Sequence, residues 1–127
     1  MLTKIKKMGF TMIELLIVMA IIGTLLALVS PRYFKSLDHS KETALRHDLS
    51  IIREAIGHFY GDTSRYPENL NELVQRHYLK AMPIDPITES SESWLAVAPP
   101  EMTQTGMYDI LSGAQGNAYD GTPYSNF

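Results

Sequence analysis

Glu14 is the residue whose chemistry most needs a reason. It is the single charge between Phe10 and Val29, and a charge at the centre of a membrane helix costs about 2.5–3.5 kcal/mol on insertion scales. A carboxylate kept in such a run either has a partner that offsets its desolvation or lies close enough to the membrane boundary to snorkel. The other residues that could do chemistry form weaker patterns. His39, His47, His58 and His77 are scattered among charged neighbours without the tight spacing of a zinc motif, and read as positions on solvated helix faces. Serine, histidine and aspartate occur without a nucleophile elbow or another local catalytic signature, so an enzyme is not expected. Trp94 and the tyrosines read as packing residues rather than a ligand box. Cysteine is absent, which excludes a disulfide framework, a thiolate metal site and a cysteine nucleophile.

The element that carries Glu14 is an apolar run. Phe10 to Val29 span about 30 Å as a helix, the thickness of one hydrocarbon core. Lys4, Lys6 and Lys7 precede it, so the positive-inside rule keeps the first nine residues cytoplasmic and sends the C-terminal part outward, to the periplasm or the cell exterior. A cleavable secretory signal is the rival. Its apolar core would run only about 7–15 residues to a small-residue cleavage site, whereas this run is longer and ends "LALVSP". The net charge is −3, and with three lysines in the first nine residues the remainder carries −6. No basic surface for nucleic acid follows from that balance.

Pro31 falls where the apolar run ends, and by lacking an N–H it is expected to loosen the bond to the Ala27 carbonyl and kink the helix. The helical pattern then resumes. Phe34, Leu37, Leu45, Leu49, Ile52, Ile56 and Phe59 recur mostly at three- and four-residue spacing, one amphipathic stripe running to Tyr60 with Gly61-Asp62 as its stop. The result is a helix of about fifty residues, apolar all round in its first half and on one face in its second. Residues 62–127 must cover that face. "RYPENLNELVQRHYL" offers a capping-box spacing from Asn69 to Glu72 and a short amphipathic helix through Leu70, Leu73 and Val74. "KAMPIDP" is a rigid connector broken by Pro83 and Pro86. Two β-like runs, Trp94 to Ala98 and Met107 to Leu111, predict a small antiparallel sheet, and the tail "SGAQGNAYDGTPYSNF" is rich in turn formers. The fold class expected is α+β, a long N-terminal helix packed on a small sheet.

The stretch "GFTMIELLIVMAIIGTLLALVSP" resembles the class III prepilin signal of type IV pilins and type II secretion pseudopilins. A short basic leader ends in Gly9, Phe10 follows, and Glu14 is fifth from there in an otherwise apolar helix. The resemblance implies a prepilin peptidase in the inner membrane that cuts after Gly9 and methylates the new amine on Phe10. Residues 1–9 are then a leader, 10–30 the transmembrane and assembly half of the helix, and 31–127 a periplasmic pilin-like domain. Glycine at the cut leaves the peptidase unobstructed. When subunits stack with a stagger, the Phe10 amine of one chain can lie against Glu14 of its neighbour, each charge offsetting the other's desolvation. Setting register is the best-attested use of such a pair. Gly23 and Pro31 stand where filament helices of this family can lose regular helix.

"RYPENLNELVQRHYLKAMPIDP" resembles the pseudopilin pattern of a Tyr-Pro element, a short helix and a Leu-x-x-x-Pro-x-Asp-Pro connector, here Tyr66-Pro67 and Leu79 to Pro86. Type IVa major pilins usually close their C-terminal region with a disulfide, which this chain cannot form. The likeness is therefore to the major pseudopilin of type II secretion. It implies a structural filament subunit that helps drive protein export across the outer membrane. Its partners would be further copies of itself, the prepilin peptidase, other pseudopilins, the inner-membrane assembly platform and the inner membrane, with no nucleic acid. A type IV pilus subunit and a minor pilin-like binding protein are the alternatives. Major pseudopilins commonly bind calcium in the final loop with two aspartates. Gln115 stands here where an acidic residue is expected, Asp120 is the aspartate inside the loop, and Asp109 is expected on a strand. Calcium takes about six to eight oxygen ligands, so weak calcium binding at Asp120, or none, is expected. Tyr119, Tyr124 and Phe127 burying against the long helix are the alternative anchor.

Overall fold

The computed structural model describes residues 3–4 and 7–127, and Lys6 of the basic leader lies outside them. The chain forms two compact units, residues 1–36 and 37–127. One helix, α1 (Met12–Thr63), contributes residues to both.

In the first unit every described residue is exposed, as a helix that is apolar all round must be when no protein covers it. Among the described residues α1 is the helix long and apolar enough to cross a membrane. It continues as regular helix through Gly23 and Pro31. Proline gives up a single backbone bond at this point, and the helix-favouring Leu and Ala residues before it carry the turns across.

In the second unit α1 buries Glu42, Leu45, Leu49, Ile52, Ala55, Ile56 and Phe59, a spacing that lays one stripe along the helix. The stripe begins at Glu42 rather than at Phe34. Phe34 and Leu37 are 60% and 40% exposed, because periodicity marks which face is apolar but not how far along it other elements reach. The helix also runs to Thr63, past the expected Gly61-Asp62 stop. The Thr63 hydroxyl donates to the Phe59 carbonyl (2.7 Å), and Ser64, at φ 58°, closes the end with its N–H on the Tyr60 carbonyl (2.8 Å).

Helix α2 (Leu70–Gln75) starts where Asn69 Oδ1 accepts the Glu72 N–H at 2.9 Å. The return bond differs from a standard capping box, since the Glu72 carboxylate accepts the Glu68 N–H (2.7 Å) rather than that of Asn69. Arg65 also grips that carboxylate, and with the Glu68 N–H holds the Glu72 carboxyl below its ordinary range. Leu70 and Leu73 are buried against α1's stripe, with Leu79, Met107 and Ile110 completing the core. Each such side chain contributes about 1.5–3 kcal/mol when fully buried.

Strands β1 (Trp94–Val97) and β2 (Asp109–Ser112) pair antiparallel, Trp94 opposite Ser112 and Val97 opposite Asp109. Entry into β2 depends on Gly106 at φ +110°, where an added Cβ would stand 2.8 Å from the Pro67 carbonyl oxygen. That close approach lets the Met107 N–H reach the same carbonyl at 2.7 Å. The connector between α2 and β1 holds Asp85, which is fully buried. Its Oδ1 accepts the Ile87 N–H at 2.8 Å, and its Oδ2 accepts the hydroxyl of Ser112. After β2 the tail is irregular, with a bridge between Asn117 and Pro123 and a 3₁₀ turn at Tyr124–Asn126.

Candidate functional site

Gly9 and Phe10 precede α1 in a stretch without regular structure. A Cβ added at Gly9 would meet nothing within 4 Å, and its backbone is outside the left-handed region. Nothing in the chain's own fold therefore demands glycine at this position. Phe10 is 86% exposed. Glu14 lies in the first turn of α1. Its Oε2 accepts the Thr11 N–H at 3.3 Å, while its own N–H donates to Thr11 Oγ1 at 3.3 Å. This reciprocal pair is a capping box, and it places a carboxylate at the positive end of the helix dipole. The signal was present in the sequence as Thr11-Met12-Ile13-Glu14, a spacing that points to a helix start as well as to a buried charge. Gly23 and Pro31 lie further along α1, outside this turn.

A second cluster joins α1 to the C-terminal residues through three charged side chains. Glu42 accepts the Tyr119 N–H at 2.7 Å. Arg46 stacks its guanidinium 3.8 Å from the centroid of the Phe127 ring. Arg53 donates to Asp109 Oδ1 (2.8 Å), the Ile110 carbonyl (3.1 Å) and the Phe127 carbonyl (2.7 Å). Tyr124 and Phe127 pack against the core, as expected. Tyr119 does not, since its side chain points outward and the residue is 73% exposed, with only its backbone held. Tyr119 and Asp120 form the turn that brings the Gly121 N–H onto the Ala118 carbonyl, and a turn-tip ring has no apolar surface beneath it. The four histidines are all exposed.

Residues 6–30 match the family described as the prokaryotic N-terminal methylation motif. Beyond that segment, the chain is 33% identical over 94 residues to the type II secretion system core protein G of Pseudomonas aeruginosa, covering 61% of this chain and 66% of that one. It is 28% identical over 123 residues to the Escherichia coli protein of the same name, covering 84% and 81%. The chain belongs to the type IV pilin and type II secretion pseudopilin family. A match to the type IV major pilin protein PilA of Myxococcus xanthus, 38% identical over 65 residues, spans 51% of this chain and 30% of that protein. No solved structure matches significantly.

In this pseudopilin-like chain the final loop contains one aspartate, Asp120. Asp120 Oδ1 accepts the Thr122 N–H at 2.9 Å, and its Oδ2 stands 3.9 Å from Arg46 with both side chains exposed. The Thr122 bonds, and then Arg46, hold its carboxyl below the ordinary range. Asp109 is on β2 and engaged by Arg53. Among the described residues no cluster of three potential metal-ligating side chains occurs. A single carboxylate beside a guanidinium supplies little anionic charge for calcium, whose remaining ligands would have to come from carbonyls and water.

Proposed function

We propose that this chain is a structural subunit of a type II secretion pseudopilus, polymerised through α1 and contributing to protein export across the outer membrane. The observation that carries the reading is the first unit, a wholly exposed apolar helix whose first turn holds one carboxylate, directly after a glycine that the fold does not require. An exposed apolar helix needs either lipid or other copies of itself around it. A prepilin peptidase cuts between Gly9 and Phe10 and methylates the new amine, after which the Phe10 amine of one copy meets Glu14 of the next. The chain is anchored in the inner membrane with its C-terminal unit in the periplasm, and other pseudopilins and the assembly platform are its partners. A type IV pilus subunit is the second reading, favoured by the likeness to PilA, but that match spans 30% of PilA against 81% of the Escherichia coli core protein G.

Intact-mass analysis of the chain extracted from membranes that contain prepilin peptidase tests the processing step: a product beginning at methylated Phe10 is expected, and one still beginning at Met1 would overturn it. Glu14→Val should be cut and inserted normally yet fail to form filaments. Normal filaments from that variant would refute the register role.

A further inference from the structure

We propose that the cleft between α1 and the connector after α2 is the docking site for a second copy of this chain, which seats its Phe34 and Leu37 there and sets its Lys35 against Asp48. The inference rests on the assembly reading above and deepens it by naming a contact between copies beyond the membrane-length run.

Two uncovered surfaces match in chemistry. The first is residues 32–38 of α1. Phe34 and Leu37 lie three residues apart, on one face of the helix, and belong by sequence to the apolar stripe, yet they are 60% and 40% exposed. Tyr33, packed edge-on to Phe34 with ring centroids 5.9 Å apart, is exposed as well. Lipid does not suit this stretch, because Arg32, Lys35 and Asp38 place three charges in seven residues and each is costly in hydrocarbon. Protein is the cover that remains. The second surface is a cleft of about 410 Å³ between Asp48, Ile51 and Ile52 of α1 and Tyr78, Lys80 and Pro83 of the connector. Its size is in the lower part of the range for side-chain and small-molecule sites, so it takes side chains rather than a whole helix. Ile51, which lines it, is 42% exposed, and Ile84, next along the connector from Pro83, is also exposed.

Each surface carries one charge of either sign. Asp48 and Lys80 line the cleft, Lys35 and Asp38 lie along one side of Phe34 and Leu37, and among the described residues none of the four is in an ion pair. Burial raises the Asp48 carboxyl above its ordinary value, with His47 opposing and Asp85 reinforcing the shift. The chain alone thus desolvates this carboxylate without setting a strong cation against it. A neighbour's Lys35 offsets that cost, and its Asp38 has the sign that suits Lys80. The occupant is another copy because Leu37 and Ile51 belong to one helix and stand about 21 Å apart along its axis, so a chain cannot fill its own cleft. In a homopolymer every copy supplies both surfaces, and the contact repeats head to tail along the filament.

The test uses filaments of the full chain, which has no cysteine of its own. One copy carries Phe34→Cys, a co-expressed copy carries Ile51→Cys, and a short thiol crosslinker is added after assembly. A covalent pair of the two copies, identified by mass, is expected, whereas Phe34→Cys combined with Met102→Cys, on the loop between β1 and β2, should give none. Filaments that form normally without the first pair, or that link Met102→Cys equally well, would overturn the proposal. Lys35→Glu should lower filament yield about ten-fold or more, since it sets like charges together, and adding Asp48→Lys should restore it. Parental yield from Lys35→Glu would also overturn the proposal, as would a double variant that melts normally by Trp94 fluorescence and is not rescued. If the double variant does not fold, the crosslink decides, because it leaves Asp48 in place. Failure of the underlying assembly reading shows separately, as normal filaments from Glu14→Val.

Discussion

Asp85→Ala is the change expected to harm the second unit most for the number of atoms removed. Asp85 is fully buried, and its carboxylate accepts the Ile87 N–H at 2.8 Å and the Ser112 hydroxyl, while Ser112 Oγ in turn accepts the Ala114 N–H at 3.1 Å. The carboxylate therefore ties the connector to the end of β2. Alanine removes the acceptor of both donors. A buried donor left unsatisfied costs about 1–3 kcal/mol, so the two together cost roughly 2–4 kcal/mol once partial relaxation is allowed. The longer approach of the Thr88 N–H, at 3.4 Å, adds little. For a domain of about 60–100 residues each kcal/mol lowers Tm by about 4–8 °C, so a fall of at least about 8 °C is expected. Trp94 is a suitable probe, because its indole N–H donates to the Pro83 carbonyl of the same connector at 2.9 Å. Melting of the full chain in detergent, followed by Trp94 fluorescence, should show this loss. Ser112→Ala should cost less, and the double variant should cost less than the sum of the two because they share one bond. An Asp85→Ala protein melting within about 2 °C of the parent, or a fully additive double variant, would refute the reasoning.

Two further outcomes follow from the second unit. Burial raises the Asp48 carboxyl above its ordinary value, with His47 opposing and Asp85 reinforcing the shift. The folded state thus favours the protonated form, and stability falls as pH rises through the carboxylate range. Asp48→Asn should accordingly melt higher than the parent at pH 7, and the gap should close below the ordinary aspartate value of 3.8; an advantage that is constant with pH would contradict this. Calcium at millimolar concentration, followed by excess chelator, should leave Tm of the full chain within about 1 °C, since a ligand stabilises only as far as it binds the folded state. A calcium-induced rise abolished by Asp120→Ala would show that the loop is a metal site after all.

The helices were legible because their signals are local. The apolar run, the stripe through Leu45, Leu49, Ile52, Ile56 and Phe59, and the Asn69 cap all depend on residues within a few positions of one another, and α1, α2 and both strands overlap the expected segments, with β2 at Asp109–Ser112 rather than Met107 to Leu111. Three features were not legible, each for a nameable reason. The start of the buried stripe at Glu42 rather than Phe34 depends on where the tail returns to the helix. Arg53 draws together Asp109, Ile110 and Phe127, at separations of 56, 57 and 74 residues, and no pattern within α1 announces such a partner. Tyr119 was expected to bury its ring, but the turn at Ala118–Gly121 gives its backbone, not its side chain, to the helix.

Glu14 and Glu42 show how far a residue type can be read without its surroundings. Both are glutamates on α1, and each breaks an apolar pattern, the first a membrane-length run and the second a core stripe. The fold resolves Glu42 within the chain, where it is 8% exposed and takes the Tyr119 N–H at 2.7 Å. Its replacement would leave a backbone donor of the same molecule unpaired, and the loss would be one of stability. Glu14 is resolved only in part, one oxygen on the Thr11 N–H and the other without a partner among the described residues. Removing it from an isolated helix lowers the cost of inserting that helix, so selection for stability or insertion of one subunit would favour its loss. Under the assembly role proposed above, that carboxylate has its use outside the monomer, on the amine of a neighbouring copy.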